Sequence, residues 1–520
     1  MRYDVPVSHI SRRNAIGALI AAPALVLPRK SAAQDAIPEI EKGPFNGTAE
    51  GLREYRIPDW FRDAKFGIWA HWGPQSGVEA GDWYARNMYI ETQAQYKYHV
   101  EHYGHPSKVG FKDLCPQWKG AEFDPDHLMQ LYKKAGAKYF MSMGVHHDNF
   151  DLWNSKFQPK WNAVATGPKK DIVGLWRNAA RKNGLKFALS EHLSNSYNWL
   201  AVSHGADKTG PLAGVPYDGT DPAYADLYHP FPKDQPIPTQ AMSRVAPDSW
   251  KLLYFRRIKD LIDNYQPDLL YTDGGIPFNE WGYKLVSHYY NANAKLHGGK
   301  VEGVYTSKNR KDCEAGTCAL DIERGIANDI LPNPWQTDTC IGNWHYKRDI
   351  KYKTTKTVVD MLCDIVSRNG NLMLNVPLPN SGKPDDEELK VVEGITKWMA
   401  VNGEGIYGTR PWKVSGNIAA PAAGEQGFNE RNRKDLTAND VRFTTKGGAL
   451  YAFVMGWPER EAAIPTLAVG GKLAVGKIRS VELLGHKGKV KFTQDEAALA
   501  VEMPPEKPGE YAITLKIVGA

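Results

Sequence analysis

The sequence contains little cysteine, no long apolar run and no block of charge of one sign. Its five cysteines are odd in number and show no paired CxxC spacing, so we predict neither a zinc site nor a dense disulfide framework. These residues are Cys115, Cys313, Cys318, Cys340 and Cys363. Cys313 and Cys318 could pair in an oxidising compartment, and the sequence leaves that question open.

The net charge of +6 does not indicate a nucleic-acid partner or an anionic membrane surface. Within residues 1–33, five basic residues stand against Asp4 alone and account for +4 of that charge, which leaves the remaining chain near +2. No basic stripe remains for a polyanion to bind. The longest apolar run is about 13 residues, too short for a membrane span, which needs about 20.

The first 33 residues have the pattern of a targeting segment. The pair Arg12-Arg13 precedes an apolar run that ends at Leu27, and small residues follow where a peptidase could cut. We predict a twin-arginine-type signal peptide over residues 1–33 and therefore export to the periplasm or beyond. The alternative is a basic tail without a targeting role.

Short apolar segments alternate with amphipathic helical segments from about residue 60 to residue 403. This alternation is typical of βα units around a parallel sheet, and its repetition favours a (β/α)8-like TIM barrel. The candidate strands are Phe66–Ala70, Lys138–Gly144, Leu185–Leu189, Asp268–Thr272, Val301–Thr306 and Asn371–Val376.

After Pro411 the helical pattern stops, and only short or alternating apolar runs remain, which predicts an all-β sandwich. We therefore expect a lead-in over residues 34–50, a barrel over 51–412 and a sandwich over 413–520. Two long stretches, about 194–248 and 307–345, have little helix or strand signal. In a barrel, loops of such length usually belong to the active site.

Polar side chains follow several predicted strands at the point where each strand ends. They are His71, the pair His146-His147, the pair Glu191-His192, and Asp273, with Asp321 and Glu323 further along a loop. TIM-barrel enzymes place their catalytic groups at the carboxyl ends of the strands. One such residue is more often structural, but several together predict an active site.

Two carboxyl groups flanking a glycosidic bond are the minimal machinery of glycoside hydrolysis. Asp273 follows a buried run and precedes two glycines that let a substrate approach, so it is the natural first carboxylate. For the second, Glu323, Glu314 and Glu191 are all eligible on this argument. We expect no cofactor and no metal site, because adjacent His146 and His147 alternate in direction and no third ligand is evident.

Several longer motifs resemble glycoside hydrolase family 29, the α-L-fucosidases. The resemblance runs from about residue 50 to residue 412, and its spread makes coincidence an inadequate explanation. The matching segments are Trp60 to Gly73, Gly81 to Tyr89, His146 to Trp153 (HHDNFDLW), Asp273-Gly274-Gly275, Ser367 to Asn375 (SRNGNLMLN) and Asn402 to Trp412 (NGEGIYGTRPW).

The resemblance implies a role for Asp273 as the nucleophile of a retaining mechanism that proceeds through a covalent fucosyl-enzyme. Glu323 is our choice for the acid/base, because its Glu-Arg-Gly and the later Trp335-Gln-Thr resemble one branch of the family, a branch that favours α-1,3/1,4 linkages; Glu314 is the reserve. The remaining expected substrate-binding residues are His71, Asp82, Trp83, Tyr84, His146, His147, Glu191, His192, Arg310, Trp335 and Trp344. Asp82 stands where the family usually has Glu.

The expected partner is a fucosylated oligosaccharide or glycan, from which the enzyme would release terminal L-fucose. One alternative is a related activity such as α-L-galactosidase, which would use the same carboxylates on a sugar with hydroxymethyl in place of methyl. Another is a non-catalytic carbohydrate-binding barrel. The sequence does not determine the oligomeric state or the role of the C-terminal domain.

Overall fold

The computed structural model describes residues 37–232, 235–238, 240–417, 428–473 and 475–520. The predicted signal peptide lies outside the described residues. Within them, we find no helix that combines the length and the apolar character needed to cross a membrane.

Eight parallel strands form one sheet in the order β6-β5-β4-β3-β2-β1-β8-β7. The strands are β1 (Phe66–Ala70), β2 (Tyr139–Val145), β3 (Lys186–Glu191), β4 (Leu269–Thr272), β5 (Val304–Ser307), β6 (Ala319–Leu320), β7 (Trp335–Cys340) and β8 (Gly370–Asn375). A parallel bridge between Asp321 and Gln336 closes the sheet between β6 and β7. The expected (β/α)8-like barrel is therefore confirmed.

Two of these strands were absent from the sequence prediction. Both β6 and β7 lie inside the stretch 307–345 that we interpreted as a loop. The first has only two residues, and β7 (WQTDTC) is rich in polar side chains, although all six of its residues are buried. A polar strand buried on both faces has no hydrophobic period to reveal it.

Helices precede, connect and follow the strands of the barrel. They are α1 (Ala49–Leu52), α2 (Asp59–Ala64), α3 (Tyr84–Asn87), α4 (Ala94–His102), α5 (Phe111–Leu114), α6 (Pro125–Lys134), α7 (Ile172–Lys182), α8 (Ser196–Trp199), α9 (Ala225–Tyr228), α10 (Asp248–Tyr265), α11 (Glu280–Leu296), α12 (Arg310–Glu314), α13 (Thr355–Ser367) and α14 (Asp386–Asn402). Local chemistry sets their ends. Asp171, for example, caps α7 by accepting from the Gly174 N–H, and Gly184 ends the same turn with a φ of 72°.

The C-terminal part of the chain forms two antiparallel sheets. One has the order β13-β16-β11-β10-β9 and the other β12-β15-β14. Their strands are β9 (Arg410–Gly416), β10 (Val441–Lys446), β11 (Ala449–Val454), β12 (Glu461–Ile464), β13 (Ser480–Leu483), β14 (Phe492–Gln494), β15 (Leu499–Glu502) and β16 (Ile513–Val518). Apolar side chains of both sheets form a shared core, as expected of a sandwich.

This sandwich packs against the last two helices of the barrel. The indole N–H of Trp398 donates to the Ala512 carbonyl at 2.7 Å. Asp364 of α13 accepts from Arg442 of β10, and this contact is buried. The two regions therefore share polar contacts in their interface.

Candidate active site

A cavity of about 280 Å³ opens at the carboxyl ends of the barrel strands. Its lining combines imidazoles, carboxylates and aromatic rings, a mixture suited to a polar ligand with an apolar face. The lining residues are Trp69, His71, Asp82, Trp83, His146, His147, His192, Met242, Tyr271, Asp273, Lys308, Glu323, Asp338, Trp344 and Phe428.

Asp273 lies directly after β4, and its carboxylate faces three cationic or imidazole groups. Oδ1 accepts from Lys308 Nζ at 2.7 Å, while Oδ2 lies 3.1 Å from His147 Nε2 and 3.5 Å from His192 Nδ1. Burial alone would raise the pKa of Asp273, but the Lys308 ammonium and the two imidazoles outweigh it and hold that pKa well below its ordinary value. Asp273 is therefore ionised at neutral pH.

The glycines after Asp273 have a definite structural role. Gly274 has a φ of 111°, a conformation that residues with a Cβ rarely adopt, and a Cβ there would collide with the Arg244 guanidinium. That guanidinium donates to the carbonyls of Asp273 at 3.0 Å and Gly275 at 2.8 Å. The sharp turn therefore fixes the direction of the Asp273 side chain.

Glu323 faces Asp273 from the loop between β6 and β7. Lys308 Nζ bridges the two carboxylates, 2.7 Å from Asp273 and 2.5 Å from Glu323. Because Oδ1 of Asp273 and Oε2 of Glu323 contact the same nitrogen, the distance between them cannot exceed the sum of these two contacts. That upper limit agrees with the separation of about 5–5.5 Å between the carboxyl groups of retaining glycosidases.

The pKa of Glu323 is shifted in the opposite direction from that of Asp273. Burial raises the pKa of Glu323 to about 7, with the charges of Asp338 and Asp273 adding to the rise and the Lys308 ammonium opposing it. One carboxyl is thus ionised and the other is partly protonated at neutral pH. This division suits a nucleophile and a general acid.

Two further buried acids, Asp338 and Asp321, lie near Lys308 and raise its pKa. Its Nζ lies 3.6 Å from Asp338, whose Oδ2 also accepts from the Tyr271 hydroxyl at 2.9 Å. Asp321 stands close behind, and burial together with the Asp338 charge raises its pKa well above the ordinary value. The cation therefore sits in a predominantly acidic pocket, which keeps it charged.

His146 has its tautomer fixed by Gln75. The Gln75 amide accepts from the Ala85 N–H and donates to Asp148 Oδ2 at 3.2 Å, so the same NH2 group must donate to His146 Nδ1 at 3.0 Å. Burial and the neighbouring imidazoles lower the pKa of His146 well below its ordinary value. His146 is therefore neutral with its proton on Nε2, and it offers a donor to the cavity.

His71 has the opposite tautomer. Asn375 Nδ2 donates to the Trp344 carbonyl at 2.8 Å, so its Oδ1 accepts from the His71 backbone N–H and from Nδ1 at 3.1 Å. Burial, assisted by nearby imidazoles, holds the pKa of His71 well below its ordinary value. His71 therefore offers the lone pair of Nε2 as an acceptor.

His147 and Asp82 are oriented by contacts with other groups of the cavity wall. His147 Nδ1 donates to the His192 carbonyl at 2.7 Å, so Nε2 can bond to Asp273 only when a proton lies between them. Asp82 contacts His345 Nδ1 at 2.5 Å, and its oxygen lies 3.8 Å from His146 Nε2. The contact with His345 fixes the position of the Asp82 carboxylate.

Within the part of the chain that the structure describes, two sets of three side chains could hold a metal ion, a possibility that the sequence alone did not reveal. They are His146, His147 and His192, and Asp82, His146 and His345, with ligand atoms within 4.8 Å of one another in each set. The fold supplies the third ligand that spacing in sequence did not. However, both sets need His146, and its Gln75-fixed tautomer presents an N–H where a metal needs a lone pair.

Four expected substrate-binding residues do not line the cavity. Tyr84 bonds to His99 at 3.0 Å, and Glu191 accepts from Tyr254, Thr272 and the Leu193 N–H inside the barrel wall. Neighbours along a strand or turn point in opposite directions, so Trp83 and His192 enter the cavity while Tyr84 and Glu191 do not.

Arg310 and Trp335 lie at a different cavity, and so does the reserve acid Glu314. Trp335 begins β7, and its indole N–H donates to the Arg368 carbonyl at 2.8 Å, at the amino end of the strand. Arg310 begins α12, beyond the turn that follows β5. Lys308, two residues earlier, is the cation that faces the carboxylates. Beside these residues, Cys313 and Cys318 are free thiols whose sulfur atoms lie 2.7 Å apart, and the question of their pairing, which the sequence left open, stays open.

Six residues of the cavity were missed by the sequence argument. Trp69 and Tyr271 lie within the predicted strands, where alternation alone could have pointed them inward. Lys308 and Asp338 carry no local motif, and Met242 and Phe428 come from distant segments. These residues are Trp69, Met242, Tyr271, Lys308, Asp338 and Phe428.

Comparison with known sequences gives a family for most of the chain. The sequence model described as Alpha-L-fucosidase matches residues 32–404, and the model of the Alpha-L-fucosidase C-terminal domain matches residues 433–518. Tissue alpha-L-fucosidase of Rattus norvegicus is 26% identical over 488 residues, which cover 89% of this chain and 90% of that protein. The human tissue enzyme is 26% identical over 486 residues, with 89% of each chain covered.

Solved structures share the fold. The structure of Thermotoga maritima alpha-fucosidase in complex with fucose superposes with a TM-score of 0.68 at 24% identity, covering 91% of this chain and all of that one. A GH29 alpha-L-fucosidase from Bacteroides thetaiotaomicron, trapped as a covalent intermediate, gives 0.58 at 19% identity, with 93% and 98% covered.

Proposed function

This chain belongs to the α-L-fucosidase family of glycoside hydrolases, and on that premise we propose that it releases terminal L-fucose from fucosylated glycans with retention of configuration. Asp273 attacks the anomeric carbon while Glu323 protonates the departing oxygen. The resulting fucosyl-enzyme is opened by a water molecule that Glu323, now ionised, deprotonates. Atoms and charges balance over the two steps, because the proton donated in the first returns in the second.

The single observation that carries this proposal is the shared contact of Asp273 and Glu323 with Lys308. It supports a carboxyl separation suited to direct attack rather than to an intervening water. The opposite pKa shifts of the two carboxyls support the assignment of nucleophile and acid.

The sugar itself would be held by the imidazole wall. A fucose ring has hydroxyl groups that both donate and accept, which the opposite tautomers of His71 and His146 can match. Trp344, whose ring centroid lies 5.8 Å from that of Trp69, offers an apolar surface for the C5 methyl group. Such a surface favours methyl over hydroxymethyl, and so favours fucose over L-galactose.

The test is hydrolysis of an aryl α-L-fucoside followed by proton NMR of the first sugar released. We expect the α-anomer first, and we expect Asp273→Gly to lower kcat by about 10⁴-fold or more because no nucleophile remains. An aryl α-L-galactoside measured in parallel should react more slowly. Initial release of the β-anomer, or normal turnover by the Asp273 variant, contradicts the proposed mechanism.

We also infer export, since a twin-arginine pattern precedes the catalytic region. Arg12-Arg13 and the apolar run that ends at Leu27 support export. Recovery of the protein from the periplasm or medium, with its first 33 residues removed, is the expected outcome of cell fractionation and terminal sequencing.

A further inference from the structure

A short segment between β9 and β10 packs on the loop that carries Glu323. The Phe428 N–H donates to the Glu323 carbonyl at 2.7 Å, and the Glu430 N–H donates to the Arg324 carbonyl at 3.0 Å. The Asn429 side chain accepts from the Ile326 N–H at 3.0 Å and donates to the Ile326 carbonyl at 3.1 Å. Residues 428–430 thus hold the chain from Glu323 to Ile326, on the C-terminal side of the acid/base position.

Glu430 joins this segment to the barrel by charge. Its carboxylate contacts Arg324 Nε at 2.6 Å and Lys353 Nζ at 3.3 Å, and it accepts from the Thr339 hydroxyl at 2.8 Å. Burial would raise the pKa of Glu430, but the cations Lys353 and Arg324 outweigh it and lower that pKa below its ordinary value. The carboxylate is therefore charged and links the Glu323 loop to the end of β7.

The backbone beside Glu323 needs such support. Arg324 has a φ of 44°, in the left-handed region that residues other than glycine seldom occupy. Conformations of this kind cost about 1–3 kcal/mol and persist only where surrounding contacts enforce them. The contacts from Glu430 and from the Asp338 carbonyl, which accepts the Arg324 N–H at 2.8 Å, supply that enforcement.

Phe428 also places an apolar side chain in the cavity. Phe428 is 48% exposed and Met242 is 45% exposed, and both line the same cavity as Glu323. Only eight large hydrophobic residues are exposed across the described ranges, and these two belong to that one cavity. Exposed apolar groups at the mouth of a polar cavity indicate a surface that a ligand covers.

The chemistry of the reaction determines which part of the substrate lies there. Glu323 gives its proton to the oxygen of the leaving group, so the first sugar of that group must be adjacent to Glu323. The fucose ring occupies the opposite, imidazole-lined wall. Phe428 therefore faces the leaving group rather than the fucose.

We propose that Phe428 and Met242 form the subsite for the first sugar of the leaving group, and that residues 428–430 position Glu323 against it. The ligand class is a pyranose ring whose apolar C–H face stacks on the phenyl ring. This inference rests on the proposed function. It assigns the C-terminal region a direct part in the active site, where the sequence had left its role open.

The experiment compares two substrates of one enzyme. The first is the linkage that the wild type hydrolyses fastest among α-1,2-, α-1,3-, α-1,4- and α-1,6-linked fucosyl disaccharides, and the second is α-L-fucosyl fluoride, whose leaving group has no ring. Phe428→Ala should lower the ratio of kcat/KM for the disaccharide to that for the fluoride about 5- to 10-fold, since it removes half-buried apolar contact. Phe428→Trp should restore the ratio.

The control is Phe157→Ala, which removes the same side chain from an exposed position (37%) outside the cavity. An unchanged ratio in Phe428→Ala overturns the subsite. Equal losses on both substrates identify a purely structural role, and unchanged rates on both show that Phe428 has no role in binding the leaving group. If the wild type hydrolyses the fluoride and a disaccharide, the proposed function holds whatever Phe428 does. If it hydrolyses neither, the proposed function itself fails and the subsite fails with it.

The positioning of Glu323 by residues 428–430 is tested by a separate measurement. Glu430→Gln keeps the shape of the side chain but weakens its pairing with Arg324 and Lys353. We expect kcat/KM across a series of aryl fucosides to depend more steeply on the pKa of the leaving phenol, because proton donation by a displaced Glu323 is impaired. An unchanged slope contradicts the positioning role.

Discussion

The wall of the cavity that carries Asp273 and the wall that carries Glu323 are held in place by different kinds of contact. His71, His146 and Asp273 follow barrel strands directly, so hydrogen bonds of the sheet fix where their backbones lie. Glu323 lies on the loop after β6, which is held by backbone hydrogen bonds from Ile322 and Arg324 to β7 and also by the ion pair between Arg324 and Glu430, more than a hundred residues away. The backbone of the acid therefore depends in part on a segment outside the barrel, whereas that of the nucleophile follows directly from the sheet, and Lys308 joins the two side chains.

The difference extends to charge. On the strand wall, burial keeps His71 and His146 neutral, and neighbouring amides select their tautomers. Between the two walls, Lys308 contacts three carboxylates, those of Asp273, Glu323 and Asp338. We therefore expect changes at His71 and His146 to affect sugar binding, and changes at Glu323 and Lys308 to affect proton transfer.

The largest expected effect on the loop wall comes from Glu323→Ala. Loss of the general acid should slow hydrolysis of fucosides with poor leaving groups by about 10²–10⁴-fold, with little effect on the first step for an activated aryl fucoside. Azide should restore turnover of the activated substrate and give a fucosyl azide, since it replaces the missing base-assisted water. Glu314→Ala is the control and should retain activity, because Glu314 lies outside the cavity.

A fully active Glu323→Ala enzyme contradicts the assignment and returns Glu314 to consideration. Loss of activity on the activated substrate without azide rescue shows instead that the variant disturbs the loop as a whole. In that case the conformation of the Glu323 loop would also affect Asp273, which Lys308 joins to Glu323.

A second prediction concerns the pH dependence of kcat/KM. In the wild type, the rate should fall as pH rises through about 7, because Glu323 must be protonated to act as the acid. Lys308 lowers the pKa of both Asp273 and Glu323, so Lys308→Met should move both limbs of the profile to higher pH and reduce the maximum about 10- to 100-fold.

Lys308→Arg keeps the charge and serves as the matched control, with limbs close to those of the wild type. Should the Met variant show the same limbs as the wild type, the cation does not set the protonation of the two carboxyls. The contrast in electrostatics between the walls would then have another origin.

The smallest expected effect lies on the strand wall, at Gln75. Gln75→Met removes one hydrogen bond to His146, worth about 0.5–1.5 kcal/mol, so we expect kcat/KM to fall by about 2- to 12-fold with the pH limbs unmoved. Long-range ¹H–¹⁵N correlation on ¹⁵N-histidine-labelled protein should show the His146 proton on Nε2 in the wild type and on Nδ1 in Gln75→Glu.

His146→Gln, which removes one set of ring signals, provides the assignment for that spectrum. A wild-type signal with the proton on Nδ1 would show that Gln75 does not select the tautomer. It would also restore His146 as a potential metal ligand, a consequence that zinc inhibition would reveal.

The sequence predicted the barrel, the sandwich and the strand-end residues because each is encoded locally. Phe66–Ala70 is both the predicted and the observed first strand, and His71, His146, His147 and Asp273 all line the cavity. Apolar runs bounded by glycine and polar residues report strand ends directly, and a barrel converts strand ends into one site. The domain boundaries and the roles of the site residues stay predictions.

Only the tertiary structure decided which residues of the stretch 307–345 face the cavity. Lys308 rather than Arg310 reaches Asp273, because helix α12 begins at Arg310 and carries it away. Likewise, Phe428 approaches Glu323 across more than a hundred residues of chain. Contacts of this kind depend on the closure of the barrel and the docking of the sandwich, and no local pattern of residues encodes them.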